Sequence, residues 1–473
     1  MTDTHDSESR SAGIDRRNLM RAVGGGAATA VLAGLAGCST LISDGDEGDG
    51  NGGTGGGSAS QVGTDPLNIG MLTFTQGAPG VLGIQIQRGA ELAVERINGA
   101  GGIAGQRQVN LEIADEGQNP LDSYRQFIDE GKDATFGPVS SGTHETIAPE
   151  VESAEVVNVS SAGTVTTLYE ETVPDPKYSF RFQNSDLMEA VVMAREAVNR
   201  IGAENIDTVA GVNPGYSFGE DSQRVFKLAL EGLLGDFDVV YEGFPDLGTS
   251  DMSTHITEVN SAAPDLMFSS LWGGDAVTFL DQAVASNLFE NTRVVSTVMY
   301  SAADDLSRDT VESAEVIAGA RTYYWDKPDR RLWKPGRDLF NDARQQDNIG
   351  VPNPHYIAGY GCITAWATAV EKAIDVLGGY PSQKQIAEAL EGHGFFTPAG
   401  YHVMGAKSEG GATTLQGSGT PGHSGRSTAY AGEMVWNEEF SAAALEDVNS
   451  YSPVEISPPP GQTGTEWLQS WRN

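Results

Sequence analysis

Ser140 and Ser141 end a predicted strand immediately before a predicted helix, Thr143–Ser153. Hydroxyls at that place, with the free amides of the first helical turn, are donors for an anionic or carbonyl oxygen. N-capping by Ser141 or Thr143 is the plainer use of the same residues. Ser161, Ala162, Gly163 and Thr164 form a second loop at a strand end. Tyr216 and Phe218 follow a predicted strand at Thr208–Val212, and Trp272 and Asp275 follow one at Leu266–Ser270. A phenyl ring offers apolar contact and attraction for a cation, but no hydroxyl. Trp272 reads either as an aromatic wall or as a core residue. Catalytic readings fare less well. His144, close to Ser140 and Ser141, is expected near the exposed start of its helix with no acid to orient it, so a nucleophile–base pair is disfavoured. The seven histidines lack metal-ligand spacing such as H-x-x-x-H. No metal and no cofactor are expected, and an enzyme is only a third reading.

The elements that must hold these residues alternate. Strands are expected at Leu67–Thr73, Val109–Asp115, Ala134–Gly137 and Val156–Ser160, with helices at Ile84–Asn98, Asn119–Gly131 and Thr143–Ser153. A second series runs from a helix at Met188–Ile201 to a strand at Val294–Thr297. Then come a strand-like run, Gly319–Trp325, a long helix, Tyr356–Leu377, and a helix at Ser382–Leu390. Gly405–Ser427 is rich in Gly, Thr and Ser, Tyr430–Trp436 is a last strand candidate, and the Pro-rich tail Ser452–Pro460 is expected to be extended. Strands alternating with helices of this length indicate βαβ units and parallel sheets. Gly99–Ala104 fits a loose dinucleotide-binding pattern, but it follows a helix and precedes a strand, the reverse of what that role needs. It reads as a helix end and turn.

The 473 residues include 65 acidic and 29 basic side chains, a net charge of −36. A field of that sign repels nucleic acid and anionic lipid. Self-repulsion at this density is best tolerated in high salt, where screening is short-ranged. An extreme halophile is therefore expected. The N-terminal segment carries an address. Arg16-Arg17 is similar to a twin-arginine export signal, Ala22–Gly37 is an apolar run too short to span a bilayer, and Leu35-Ala36-Gly37-Cys38 is similar to a lipobox. Cys38 is then lipidated and becomes the mature N-terminus, and stable anchoring needs two chains or a second signal. Ser39–Thr64, acidic and Gly-rich, is a spacer. With Cys38 lipidated, the other cysteine, Cys362, has no disulfide partner and reads as a buried, inert thiol in an apolar helix.

Several motifs in order carry a resemblance: Ile69-Gly70-Met71-Leu72, Gly89-Ala90-Glu91-Leu92-Ala93, Ile97-Asn98, Gly101-Gly102-Ile103-Ala104-Gly105, Phe136-Gly137-Pro138-Val139-Ser140-Ser141, Ser160-Ser161-Ala162-Gly163-Thr164 and Tyr216-Ser217-Phe218-Gly219. Over about residues 66–400 the chain resembles the leucine/isoleucine/valine-binding family of ABC-importer solute-binding proteins, here as a haloarchaeal-type lipoprotein. The resemblance implies an α/β, two-lobed type I periplasmic-binding-protein fold, each lobe a parallel sheet flanked by helices, joined by hinge crossovers. It divides the chain into a signal (1–38), a linker (39–64), lobe 1 (65–185), lobe 2 (186–317), a return to lobe 1 (318–403), and a completion of lobe 2 with the tail (404–473). It places a carboxylate-binding serine at Ser141, loop contacts at Gly163 and Thr164 beside Ala162, and an aromatic cover at Phe218 beside Tyr216. Trp272 and Asp275 would stand at the same end of lobe 2. One departure is plain. Amino-acid-binding members carry an acid after the strand matching Val294–Thr297, where this chain has Val298, Met299 and Tyr300. The acid's role could pass to Asp275, or Tyr300 could hydrogen-bond something neutral. Leu82, in a lobe 1 loop, stands where the family often has an aromatic. The expected solute is a branched-chain amino acid or a related small amide, urea or carboxylate. The expected partner is an ABC-transporter permease, for a monomer held on the outer face of the cytoplasmic membrane by lipid. A sensory ligand-binding protein of the same fold is the alternative.

Overall fold

The computed structural model describes residues 62–326, 334–346, 350–406, 423–459 and 462–472. The signal, all but the end of the spacer, and most of Gly405–Ser427 lie outside the described residues. Lobe 1 is built on five parallel strands: β1 (Leu67–Thr73), β2 (Val109–Asp115), β3 (Ala134–Phe136), β4 (Asn158–Ser160) and β5 (Ser179–Arg181), in the order β2-β1-β3-β4-β5. β1 buries all but one of its side chains, as a strand covered on both faces must. Its helices are α1 (Gly77–Gly99), α2 (Pro120–Asp129) and α3 (Ser141–Ala154). α1 starts before the expected Ile84, because Pro79 falls in its first turn, where a missing amide costs nothing. Leu82, expected in a loop, is therefore helical. At the far end α1 stops at Gly99 and the chain turns through Gly101 and Gly102, both at positive φ.

Lobe 2 opens with α4 (Asp186–Ile201) and continues through β6 (Thr208–Val212), α5 (Ser217–Leu234), β7 (Asp238–Gly243), α6 (Ser253–Ala262), β8 (Leu266–Ser269), α7 (Gly273–Ala285), β9 (Arg293–Ser296), α8 (Arg308–Ser313) and β10 (Val316–Gly319). The chain then returns to lobe 1 with α9 (Lys334–Gln346), α10 (Pro354–Leu377) and α11 (Gln383–Leu390). There β11 (Gly394–Thr397), β12 (Gly400–Met404) and β13 (Gly425–Arg426) form a small antiparallel sheet. Finally β14 (Ala429–Asn437) and β15 (Ala442–Tyr451) add an antiparallel edge to lobe 2, giving the order β15-β14-β10-β9-β8-β6-β7. Two expectations fail here. The strand-like run Gly319–Trp325 is a turn beyond Gly319, since Arg321 sits at φ 43° and cannot continue a strand. The tail is not simply extended, because Ser452 and Glu455 cap a short helix, α12 (Pro453–Ile456), before α13 (Gly464–Ser470) closes the chain.

α10 begins at Pro354 because the Asn353 side chain accepts the amides of His355 and Tyr356. It lies against α1 at a distance only glycine allows. A Cβ on Gly89 would stand 1.9 Å from the Tyr356 carbonyl oxygen, and one on Gly359 the same distance from that of Ile86. Cys362, on this helix, is fully buried, and burial raises its thiol well above its usual range.

Three segments cross between the lobes, after β5, after β10 and after β13. They are laced together. The Asn184 side chain bonds Ser427 at both its carbonyl and its amide, and Arg321 Nη1 donates to Gln183 Oε1 at 2.7 Å. Ala320 and Arg321 exchange backbone bonds with Tyr430.

Candidate functional site

Parallel strands deliver their following loops to one edge, so each lobe presents a cluster of loops and helix N-termini. In lobe 1, Glu116, just past β2, accepts the amides of Val139 (2.7 Å) and Ser140 (2.8 Å). Ser160 Oγ donates to the carbonyls of Pro138 and Ala162, and the Gly163 amide donates to the Val139 carbonyl. The loop after β3 and the loop after β4 are thereby locked to one another. Burial pushes the Glu116 carboxyl up to about 8, although both amide bonds favour the anion.

These loops face lobe 2 across a narrow cleft, closed down to about 20 Å³ of free space. Lobe 1 lines it with Leu82, Val139, Ser141, Ala162, Thr164 and His355. The other wall is Tyr216, Phe218, Trp272 and Val298, with Arg321 from the crossover after β10. All but Tyr216 are buried, so the two walls stand close together. Tyr216 and Trp272 precede the first residues of α5 and α7, and Trp272 Nε1 donates to the Tyr216 hydroxyl at 3.1 Å. The indole N–H is thus satisfied within the aromatic wall.

Of the residues singled out in the sequence, Ser141, Ala162, Thr164, Tyr216, Phe218 and Trp272 come together on this cavity. Four do not line it. Ser140 stands beside it as the residue before α3. Gly163 spends its carbonyl on His144 and Arg181. Both Asp275 oxygens accept the Gly248 amide. Tyr300 lies in the lobe 2 core, its ring 5.7 Å from that of Tyr324.

His144 also departs from expectation. It is fully buried rather than near the surface, since it packs inward from α3 against β5 and bonds Gly163 O and Ser179 Oγ. Burial, chiefly, pushes it down to about 3. Its ring is neutral and committed, so it cannot serve Ser141 as a base.

Arg321 and His355 escaped the sequence reading. Arg321 sat inside an apparent strand, and His355 opened an apolar helix. Arg321 Nε and His355 Nδ1 are both buried without a hydrogen-bond partner. Burial and then the Arg321 charge hold His355 well below its usual range, so it is neutral. Behind Arg321, Asp186 and Glu189 are pushed up to about 7 by burial, against the pull of the guanidinium. Among the described residues no Asp or Glu is on the cavity lining. Chemically, the site can grip one small molecule with hydroxyls, a guanidinium and an imidazole at one part and rings at another. Among the described residues no group of three or more His, Cys, Asp or Glu is placed to hold a metal ion, and no helix is long and apolar enough to cross a membrane.

A model of the periplasmic binding protein family matches residues 66–416. Leu/Ile/Val-binding protein homolog 3 of Brucella melitensis biotype 1 is 27% identical over 205 residues, 43% of this chain and 53% of that protein. The chain thus matches about half the length of that relative. Leu/Ile/Val-binding protein homolog 1 of Brucella abortus (strain 2308) is 23% identical over 330 residues, 68% of this chain and 81% of that one. Among solved structures, a solute binding protein of an ABC transporter from Rhodopseudomonas palustris BisB5, in complex with 3,4-dihydroxybenzoic acid, superposes with a TM-score of 0.67 at 17% identity. The similarity covers 84% of this chain and 99% of that one.

Proposed function

The chain belongs to the periplasmic binding protein family, and on that premise we propose that it is an extracytoplasmic receptor of an ABC importer. It captures one small organic solute between its lobes and delivers it to a membrane permease. The observation that carries this reading is the cleft itself, lined from both lobes by residues at strand ends and helix starts. Contacts shared between two walls favour the closed arrangement only when the solute is present. Ser141 and Thr164 supply hydroxyls, and Tyr216, Phe218 and Trp272 supply the apolar wall. The names of the relatives, and the benzoic acid held by the Rhodopseudomonas protein, support a solute of amino-acid or aromatic-acid size. The measurement is a thermal shift in molar salt across branched-chain amino acids, small amides, urea and small carboxylates. At least one compound should raise the melting temperature, and a flat response across the panel would sink solute capture.

The setting belongs to the same proposal. Arg16-Arg17 and the Leu35–Cys38 motif mark export through the twin-arginine route and lipidation at Cys38. The acidic Gly-rich spacer then gives a tethered monomer its reach, and the net charge of −36 suits a halophile's molar salt while turning away nucleic acid. Cys38→Ser should move the protein from the membrane fraction into the medium. Undiminished membrane retention of that variant removes the lipid anchor.

A further inference from the structure

The lining of the cleft selects among solute classes by charge. Among the described residues Arg321 is the only charged side chain on it, and no carboxylate is there to meet an ammonium. The acids nearest the site are turned elsewhere or set behind the wall. Glu116 is spent on two backbone amides, Asp275 on Gly248, and Asp304 on the amide of Val351. Asp186 and Glu189 lie within reach of the Arg321 charge but are not on the cavity lining. An ammonium brought here would lose its water without gaining a counter-ion, a cost of several kcal/mol.

The polar side of the cavity has the opposite need. A buried guanidinium N–H without an acceptor is rare in folded proteins, because it forfeits the full hydration of that group. Here Arg321 Nε has none, and the imidazole Nδ1 of His355 on the facing helix has none either. Nη1 of the same guanidinium is anchored on Gln183, so its plane is fixed while Nε stays available. A planar fork held this way suits a carboxylate, whose two oxygens lie in one plane. The opposite wall is Tyr216, Phe218 and Trp272, with Leu82 closing one side. Trp272 Nε1 is satisfied by the Tyr216 hydroxyl oxygen, so apart from the Tyr216 O–H this wall offers an apolar surface.

Resting on the solute-capture reading above, we infer that the solute is a small monocarboxylate with an apolar, preferably planar body and no ammonium group. Its carboxylate is received by Arg321 and His355, and its body lies against the aromatic wall.

The test is calorimetric titration of the full-length protein with benzoate, cyclohexanecarboxylate, benzamide and leucine. Benzoate or cyclohexanecarboxylate is expected to bind at least tenfold more tightly than both benzamide and leucine. Benzamide keeps the ring and loses the charge, and leucine adds the ammonium. Arg321→Gln is expected to weaken the preferred carboxylate tenfold or more and benzamide by a clearly smaller factor, and His355→Phe to weaken the carboxylate several-fold. Leucine binding more tightly than both carboxylates overturns the inference and leaves solute capture standing. No binding by any of the four, together with a flat thermal panel, overturns both. Carboxylate affinity that survives Arg321→Gln removes Arg321 from the site. Should Arg321→Gln fail to fold, the carboxylate-to-benzamide ratio on the unaltered protein decides alone, and a ratio near one overturns the inference.

Discussion

Gly359→Ala is expected to cost about 3 kcal/mol or more of unfolding free energy, at or beyond the top of the usual range for overpacking. The added methyl would stand 1.9 Å from the Ile86 carbonyl oxygen, and a backbone oxygen has no rotamer into which to retreat. α1 and α10 would have to separate. Gly89→Ala should do the same from the other side, through the Tyr356 carbonyl. Gly99→Ala is the internal comparison. It lies at the end of α1, exposed, with nothing within 4 Å of its Cβ, so it should be neutral or stabilising by up to about 1 kcal/mol. Denaturant unfolding of the three variants reads the difference. Equal stability for Gly359→Ala and Gly99→Ala would mean that the helices do not cross this closely. The spacing matters beyond stability because Leu82 on α1 and His355 on α10 both face the cleft.

Glu116→Ala should be comparably damaging, by about 2–4 kcal/mol, since it strips the acceptor from two buried amides at once. Those amides hold the loop that leads into Ser141, so solute affinity should fall with stability. The carboxyl also gives a signed pH dependence. Burial lifts its folded midpoint to about 8, above the ordinary carboxyl value of 4.5. Below pH 4.5 both folded and unfolded chains hold the proton, and the contribution of Glu116 is fully present. Between 4.5 and 8 the unfolded chain releases it while the folded one keeps it, so stability is lost as pH rises, by about 1.4 kcal/mol per pH unit for one proton. Glu116→Gln keeps an acceptor and cannot ionise. Its stability should fall less steeply than that of the unaltered protein from pH 5 to 8, measured by urea unfolding. Parallel slopes would show that Glu116 carries no proton in that range.

Much of this architecture could be read from pattern. The runs at Leu67–Thr73, Thr208–Val212 and Leu266–Ser269 are apolar, short and bounded by turn residues, and each is a strand. The loops and helix starts after β3, β4, β6 and β8 hold Ser141, Thr164, Phe218 and Trp272, because a parallel sheet leaves little choice about which edge its connections reach. The sequence reading faltered where the chain leaves that grammar. Ala320–Trp325 has the apolar and aromatic content of a strand, yet Tyr430 pins Ala320 and Arg321 from a partner a hundred residues away. Local composition cannot register that contact. One trace of it was legible, a single arginine set in an otherwise uncharged stretch from Val316 to Trp325. His355 had its own signal in Asn353-Pro354, a helix start that places the next residue at the mouth of α10. β11, β12, β13 and β15 were missed because they are antiparallel additions to a βαβ plan, and the parallel strands β5 and β10 because each is only a few residues long. Asp275 and Tyr300 were correctly placed at strand ends, but side-chain direction, which distance along the chain does not encode, turned them away from the cavity.

The lacing of the three crossovers limits how the cleft can move. Asn184 holds Ser427, Arg321 holds Gln183, and Tyr430 holds Ala320 and Arg321. Bending any one of these segments strains its bonds to the others, so the lobes should open about all three together, as a door turns on aligned pins. Arg321 is itself one of the pins. On the inference that Arg321 receives the solute, a bound molecule would press on the axle of the door as well as on its panels, and its residence time would be set where the lobes join.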